Sequence, residues 1–287
     1  MNFTYDKISS NVYYIREEDT RNCNPLMYLI IGDENKALLI DTGCGCGNIY
    51  FFLRSLPFLQ NVKLIVVNTH NHPEQVGGNW RFSTTRSNGL AHQVEDLCAS
   101  RKNKYYTRLL DSNWHWEVQT YKVTRWLNDG DKILLGNEGS LINVIQVMWT
   151  PGHTPDSIVL WYPYANRLFI GDLFYQFEDL MFTYKHIDMR EYEASVRKIL
   201  KFVQGQTVEV RYSAAKKEFD NAILPALKIY HRFLLSVIAG TQAGVPLRID
   251  EAEGVRFESR DKSIKLVIGR SLFLKLNSAR EKALQVH

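Results

Sequence analysis

The chain of 287 residues is expected to fold as an α/β protein of two packed sheets with helices outside. Three observations predict this. Short apolar runs rich in β-branched residues recur in two blocks, one near the start and one between about 123 and 212. Helix-forming stretches lie between and after these blocks. No internal repeat, low-complexity tract or linker rich in Gly, Pro or Ser separates them, so the division expected is a core at 1–215 and a helix-and-hairpin extension at 216–287 packed on the same domain.

The first block opens with strands at Asn11–Arg16, Leu26–Ile31 and Lys36–Asp41, the last two joined by the hairpin residues Gly32-Asp33-Glu34-Asn35. Gly43, Gly45 and Gly47 then break the backbone, and Asn48 can cap a helix to about Leu56, before Pro57. Leu64–Asn68 reads as a buried strand, Gly89–Ala91 as a short one and His92–Arg101 as a helix. Asn103–Lys122 has no clean period and is crowded with aromatics, among them Trp114, His115 and Trp116; a substrate-covering loop and packing under a loop both fit it. The second block supplies strands at Val123–Leu127, Lys132–Leu135, Leu141–Thr150, Ser157–Tyr162 and Arg167–Ile170. A helix near Arg190–Val203 leads to a last core strand at Val208–Tyr212. In the extension, an amphipathic helix from Lys216 to about Ala239 contains Pro225 as a kink or restart, and Val255–Glu258 with Ile264–Ile268 form a hairpin.

Composition narrows the function. A hydrophobic share of 45% with 23% charged residues is ordinary for a soluble globular protein. The net charge of +4 is spread thinly, and Arg101-Lys102-Asn103-Lys104 reads as a solvated helix end, so no nucleic-acid partner is expected. Met1–Lys7 lacks the blocks of a signal peptide, and Lys228, His231 and Arg232 interrupt the most apolar late segment, so no membrane span is expected. Four cysteines make no disulfide framework here, and a cytoplasmic, reducing location is the expectation. A homo-oligomer is compatible with all of this.

The chemistry gathers at strand ends. His70 and His72 follow one strand with the spacing His-x-His, and can turn their imidazoles onto one metal ion. His153 follows the strand ending at Thr150, and Asp172 follows Phe169-Ile170-Gly171. Three neutral imidazoles with a fourth position open suit zinc, which lowers the pKa of bound water to about 7.

Four pieces now stand in order: Leu39-Ile40-Asp41-Thr42-Gly43; Thr69-His70-Asn71-His72 with Gly77-Gly78; Thr150-Pro151-Gly152-His153-Thr154-Pro155-Asp156-Ser157; and Phe169-Ile170-Gly171-Asp172. Over roughly residues 10–215 the chain resembles the metallo-β-lactamase fold superfamily, which includes glyoxalase-II-like thioesterases and lactonases. The resemblance implies a four-layer αββα sandwich of two mixed sheets with a metal-dependent hydrolytic centre on one edge. It implies that His70, His72 and His153 hold the first metal, that Asp172 is the carboxylate that bridges two metals, and that Asp41 supports the site from behind its ligands.

Where the family motif reads His-x-His-x-Asp-His, this chain has Glu74 and Gln75. Where the family's last histidine follows the final core strand, it has Val210-Arg211-Tyr212-Ser213-Ala214-Ala215, followed by Lys216 and Lys217. The second metal position is therefore degenerate. The expectation is one ion, zinc first and iron as the alternative, with a vacant relic as the contrary case. Glu74 reads either as a ligand or base that activates metal-bound water, with Asp172 as the other orienting carboxylate, or as a loop carboxylate facing solvent or paired with an Arg. Phe174 and Tyr175, with Trp114, His115 and Trp116, are candidates to line a substrate site, or are packing residues. Cys44 and Cys46 suit a soft-metal or redox role, or are small residues of a tight turn. Three functions remain: a single-metal hydrolase of a thioester, lactone or related small acyl substrate; a non-catalytic binding or scaffold member of the fold; and, ranked last because the two-iron ligand set is missing, an iron-using oxidoreductase-type relative.

Overall fold

Runs of buried aliphatic residues without polar alternation belong in sheets covered on both faces, and the central strands of the first sheet are of this kind. The computed structural model describes residues 2–20, 22–83, 93–105, 118–249 and 252–284. Seven strands form the first sheet in chain order: β1 (Phe3–Lys7), β2 (Val12–Glu17), β3 (Leu26–Ile31), β4 (Lys36–Ile40), β5 (Lys63–Val67), β6 (Val94–Ser100) and β7 (Arg125–Leu127). Pairing is antiparallel from β1 to β4 and parallel from β4 to β7, so β4 and β5 end side by side at one edge.

The second sheet contains β8 (Lys132–Leu134), β9 (Val144–Trp149), β10 (Ile158–Tyr162), β11 (Arg167–Gly171), β13 (Arg211–Ala214) and β14 (Asn221–Ala222), in the order β14-β13-β11-β10-β9-β8. Its β11 and β13 run parallel. Alternation along the strands assigns two cores. Leu38, Ile40, Ile65 and Val67 share a buried cluster with Val147, Leu160 and Phe169 of the second sheet. Leu39, Leu64 and Val66, on the opposite face, pack with Ile49 and Leu53 of helix α1 (Ile49–Ser55). Asn48 caps α1 as its sequence position predicts, its Oδ1 accepting from the Phe51 N–H at 3.1 Å. Helix α2 (Pro73–Val76) is a single turn after β5.

The chain divides into two compact units that interleave in sequence. One comprises Met1–Trp149, Asp156–Gly171 and Arg211–Asn221 and contains the two sheets; the other comprises Thr150–Pro155, Asp172–Val210 and Ala222–His287. In the second unit α3 (Met189–Gln204) packs on α4 (Ile223–Ala239). The Tyr192 hydroxyl donates to the Leu173 carbonyl, which leaves Tyr230 as the donor in the Tyr192–Tyr230 pair. A third sheet, β12-β17-β16-β15, is formed by β12 (Asp179–Phe182), β15 (Val245–Ile249), β16 (Ala252–Glu258) and β17 (Lys265–Gly269), with α5 (Arg270–Leu284) against β16 and β17. No helix among the described residues is long and apolar enough to cross a membrane.

Besides β1, α2, β12, β14, β15 and α5, none of which is among the expected elements, three expected elements differ. The segment expected as a helix from His92 to Arg101 is strand β6, paired on both sides. Its Val94, Leu97 and Cys98 also fit helical spacing, and the open slot between β5 and β7 decides against it. Helix α4 starts at Ile223 rather than Lys216, which puts Pro225 in the first turn, where no helical N–H is lost, instead of at a kink. The last core strand lies at Arg211–Ala214, later than Val208–Tyr212. The expected hairpin is present as β16 and β17, widened by β12 and β15 into a four-stranded sheet.

Candidate metal centre

Because β4 and β5 are parallel neighbours, the residues that follow them meet. Asp41 follows β4 at φ 64°, a left-handed conformation that costs a non-glycine residue energy. From there its Oδ1 accepts the Thr69 N–H at 2.8 Å and its Oδ2 accepts the Thr69 hydroxyl at 2.9 Å. Thr69 has one hydroxyl proton, and a carboxylate can only accept. With that proton on the Asp41 side, Thr69 Oγ1 accepts from His70 Nδ1, 3.1 Å away. His70 is thereby assigned the Nδ1–H tautomer, and its Nε2 lone pair faces His72 Nδ1 at 3.0 Å.

His153 and Asp172 are set by a different set of contacts. Gly152, at φ 125°, lets the Thr150–Pro155 turn touch α3: a Cβ there would lie 2.1 Å from the Tyr192 nitrogen. Ser195 Oγ donates to the Pro151 carbonyl at 2.7 Å, and Asp188 N–H to the Gly152 carbonyl at 3.0 Å. The His153 ring meets Phe182 edge-on, and its Nε2 lies 3.4 Å from Asp172 Oδ2. The Tyr175 hydroxyl donates to the other oxygen of Asp172. Gly171, just before Asp172, has φ 52°, and a Cβ there would lie 2.8 Å from Thr69 Cβ.

His70, His72, His153 and Asp172 each offer one donor atom, and the four atoms lie within 4.8 Å of one another. The three imidazoles are almost wholly buried, at 2–3% exposure. Two nitrogens bound to one tetrahedral zinc at about 2.0–2.1 Å lie roughly 3.3 Å apart, and the His70–His72 pair stands near that spacing. These residues fit a metal ion.

The remaining expected residues sort as follows. Glu74, in the first turn of α2, is not one of the four donors. It is close enough to Cys23 to act on it electrostatically. Gln75 is buried, and its backbone carbonyl accepts from the Thr42 N–H and Asn68 Nδ2. At the end of β13, Ala214 and Ala215 are buried, and Ala215 N–H donates to the Gly171 carbonyl. No donor side chain occurs at those two positions. Phe174 is buried with its ring 5.3 Å from that of Tyr230, and Tyr175 is the residue that holds Asp172. Trp114, His115 and Trp116 lie outside the described residues. Sequence reasoning assigned no role to Thr69, although it stands directly before His70, and it passed over Cys23 and Asp19, which gather beside Cys44.

A sequence profile of the Metallo-beta-lactamase superfamily matches residues 20–205. The chain belongs to the metallo-β-lactamase superfamily. Among its relatives is the acyl-coenzyme A thioesterase MBLAC2 of Gallus gallus, 24% identical over 226 residues that cover 72% of this chain and 78% of the relative. Among solved structures, the DIM-1 metallo-beta-lactamase superposes with a TM-score of 0.60 at 17% identity, covering 83% of this chain and 99% of that one. TTHA1623, solved in a di-iron-bound form, superposes with a TM-score of 0.55 at 19% identity over 71% of this chain and 93% of that one. The mixed α/β sandwich expected for the superfamily is therefore the fold of this chain.

Proposed function

We propose that this protein is a hydrolase that uses one zinc ion, held by the imidazoles of His70, His72 and His153 with Asp172 beside the fourth position, to cleave a small acyl thioester. The gathering of those four donors is the observation that carries the reading. The name of the MBLAC2 relative, an acyl-coenzyme A thioesterase, favours a thioester over a lactone. Zinc at such a centre supplies Lewis acidity and hydroxide near neutral pH.

The chain's own groups position and protonate. Thr69, itself held by Asp41, fixes the ring of His70. Tyr175 holds Asp172 by one oxygen and leaves the other toward His153, where it can orient a water and accept its proton. Glu74 is the alternative base, offset from the four donors by its place in the first turn of α2.

Metal analysis of protein purified without added metal, with turnover of acyl-CoA, lactone and cephalosporin substrates, tests the reading. A zinc ion that depends on His153, and thioester hydrolysis that is lost with a chelator and in His153→Ala, are expected. No stoichiometric metal, together with no effect of His153→Ala, would overturn it. A non-catalytic binding role is the second reading, favoured by the missing donors at Gln75 and at Ala214–Ala215. A metal-free, inert protein of full thermal stability would select it.

A further inference from the structure

Outside the four donors of the histidine centre, a second group of donor atoms gathers on the first sheet. Cys44 lies in the glycine-rich turn after β4, and Asp19 and Cys23 lie in the connection from β2 to β3. One donor atom from each of the three lies within 4.8 Å of the others. The turns that present them are held from behind. Glu17, fully buried, accepts the backbone N–H groups of Cys44 and Gly47, the latter at 2.9 Å. Asn22 and Asn24 adopt left-handed conformations on either side of Cys23. Asp19 accepts the N–H groups of Cys23 and Asn24 at 3.4 and 2.5 Å, which fixes its carboxylate beside Cys23. Asp19 is 9% exposed and Cys44 4% exposed, while Cys23 is half-buried, so a small ion has one side of approach.

Two thiols and a carboxylate, converged and largely buried, suit a cation that can take the place of the thiol protons. Thiolates select soft or borderline ions, and the carboxylate tips the set from copper(I) toward a divalent ion. Lys216 acts electrostatically on Cys23 and offsets the surplus of negative charge to which Glu17 and Glu74 contribute.

We propose that Asp19, Cys23 and Cys44 form a second metal site, for a thiophilic divalent ion of the zinc class, separate from the histidine centre. On binding, two S–H bonds break, two sulfur–metal bonds form, and two protons pass to solvent, so affinity rises with pH. The ion ties the β2–β3 connection to the turn at 43–47. That turn backs onto the histidine loop: a Cβ on Gly77 would lie 2.3 Å from the Cys44 carbonyl oxygen, and one on Gly45 2.4 Å from that of Gly77.

Cadmium titrated into the reduced full-length protein tests this without reference to activity. A thiolate-to-cadmium charge-transfer band is expected in the wild type, in His153→Ala and in Cys46→Ser, and is expected to vanish in the Cys23→Ser/Cys44→Ser double variant. In case that variant does not fold, alkylation of Cys23 in the wild type, read by mass spectrometry, is expected to slow by about tenfold or more with zinc. A wild type with no band, a band that survives in the double variant, or Cys23 labelling that zinc does not slow would overturn the proposal.

Discussion

Thr69 donates its only hydroxyl proton to Asp41 and accepts from His70, so a residue outside the four gathered donors decides which imidazole nitrogen is available. Thr69→Val removes that control without removing a ligand. Metal affinity is expected to fall about 10–100-fold, with Thr69→Ser restoring it, as measured by competition with a chromogenic chelator. Glu74 offers a complementary test. Because it is not one of the four donors, Glu74→Gln is expected to leave zinc content unchanged, and full turnover in that variant would exclude Glu74 as the base. The four gathered donors were legible in the sequence because each is a metal-binding residue type placed directly after a strand-forming run. Thr69, Tyr175 and Cys23 were not, because their roles depend on partners from distant parts of the chain, such as Asp41, Asp172 and Cys44, that only folding brings alongside.

Elements are placed here by a few close backbone approaches as much as by hydrophobic burial. Gly152 is the tightest: its φ of 125° suits glycine, and a Cβ would meet the first turn of α3 at 2.1 Å. Gly152→Ala is expected to destabilise the protein by about 3 kcal/mol and to displace His153, read as a lower denaturation midpoint together with reduced metal affinity. The same scale explains the misreadings. A segment whose apolar spacing fits a helix becomes β6 when two parallel neighbours offer it hydrogen bonds on both edges. Residues 216–222 carry enough polar character to begin a helix, yet the Glu218 carbonyl accepts from Ala214 N–H and the Ile223 N–H donates to the Val210 carbonyl, which delays α4. Local propensity yields wherever tertiary contacts supply partners.

Across the whole molecule, one ion-pair cluster clips the end of the second sheet. Arg167, 2% exposed on β11, donates to Asp220 at 2.6 Å, and Arg211 of β13 donates to the same carboxylate at 2.6 Å. Burial pushes Asp220 upward, but the hydrogen bonds from Arg211 and Arg167 outweigh it and hold the carboxyl below its ordinary value of 3.8. A depressed carboxyl contributes stability that is present above the ordinary value and lost as pH falls through the folded one. Asp220→Asn is accordingly expected to cost about 1–2 kcal/mol near neutral pH, where it removes the counter-charge of the buried Arg167 guanidinium, and the gap from wild type is expected to close in acid, as followed by denaturation across a pH series. The fold class was legible because two blocks of strand-length runs and four strand-end motifs survive in order. The contact pattern that places 172–210 and 222–287 in one unit was not, since it reflects pairings such as β12 with β17 between residues far apart in sequence. That separation bears on kinetics as well. The four donors come from positions 70, 72, 153 and 172, so of this set the unfolded chain can offer an ion no more than the His-x-His pair. An ion that recognises only the assembled set leaves the folding arm of a chevron nearly unchanged and depresses the unfolding arm, so loading the centre would lengthen the lifetime of the native state without hastening its formation.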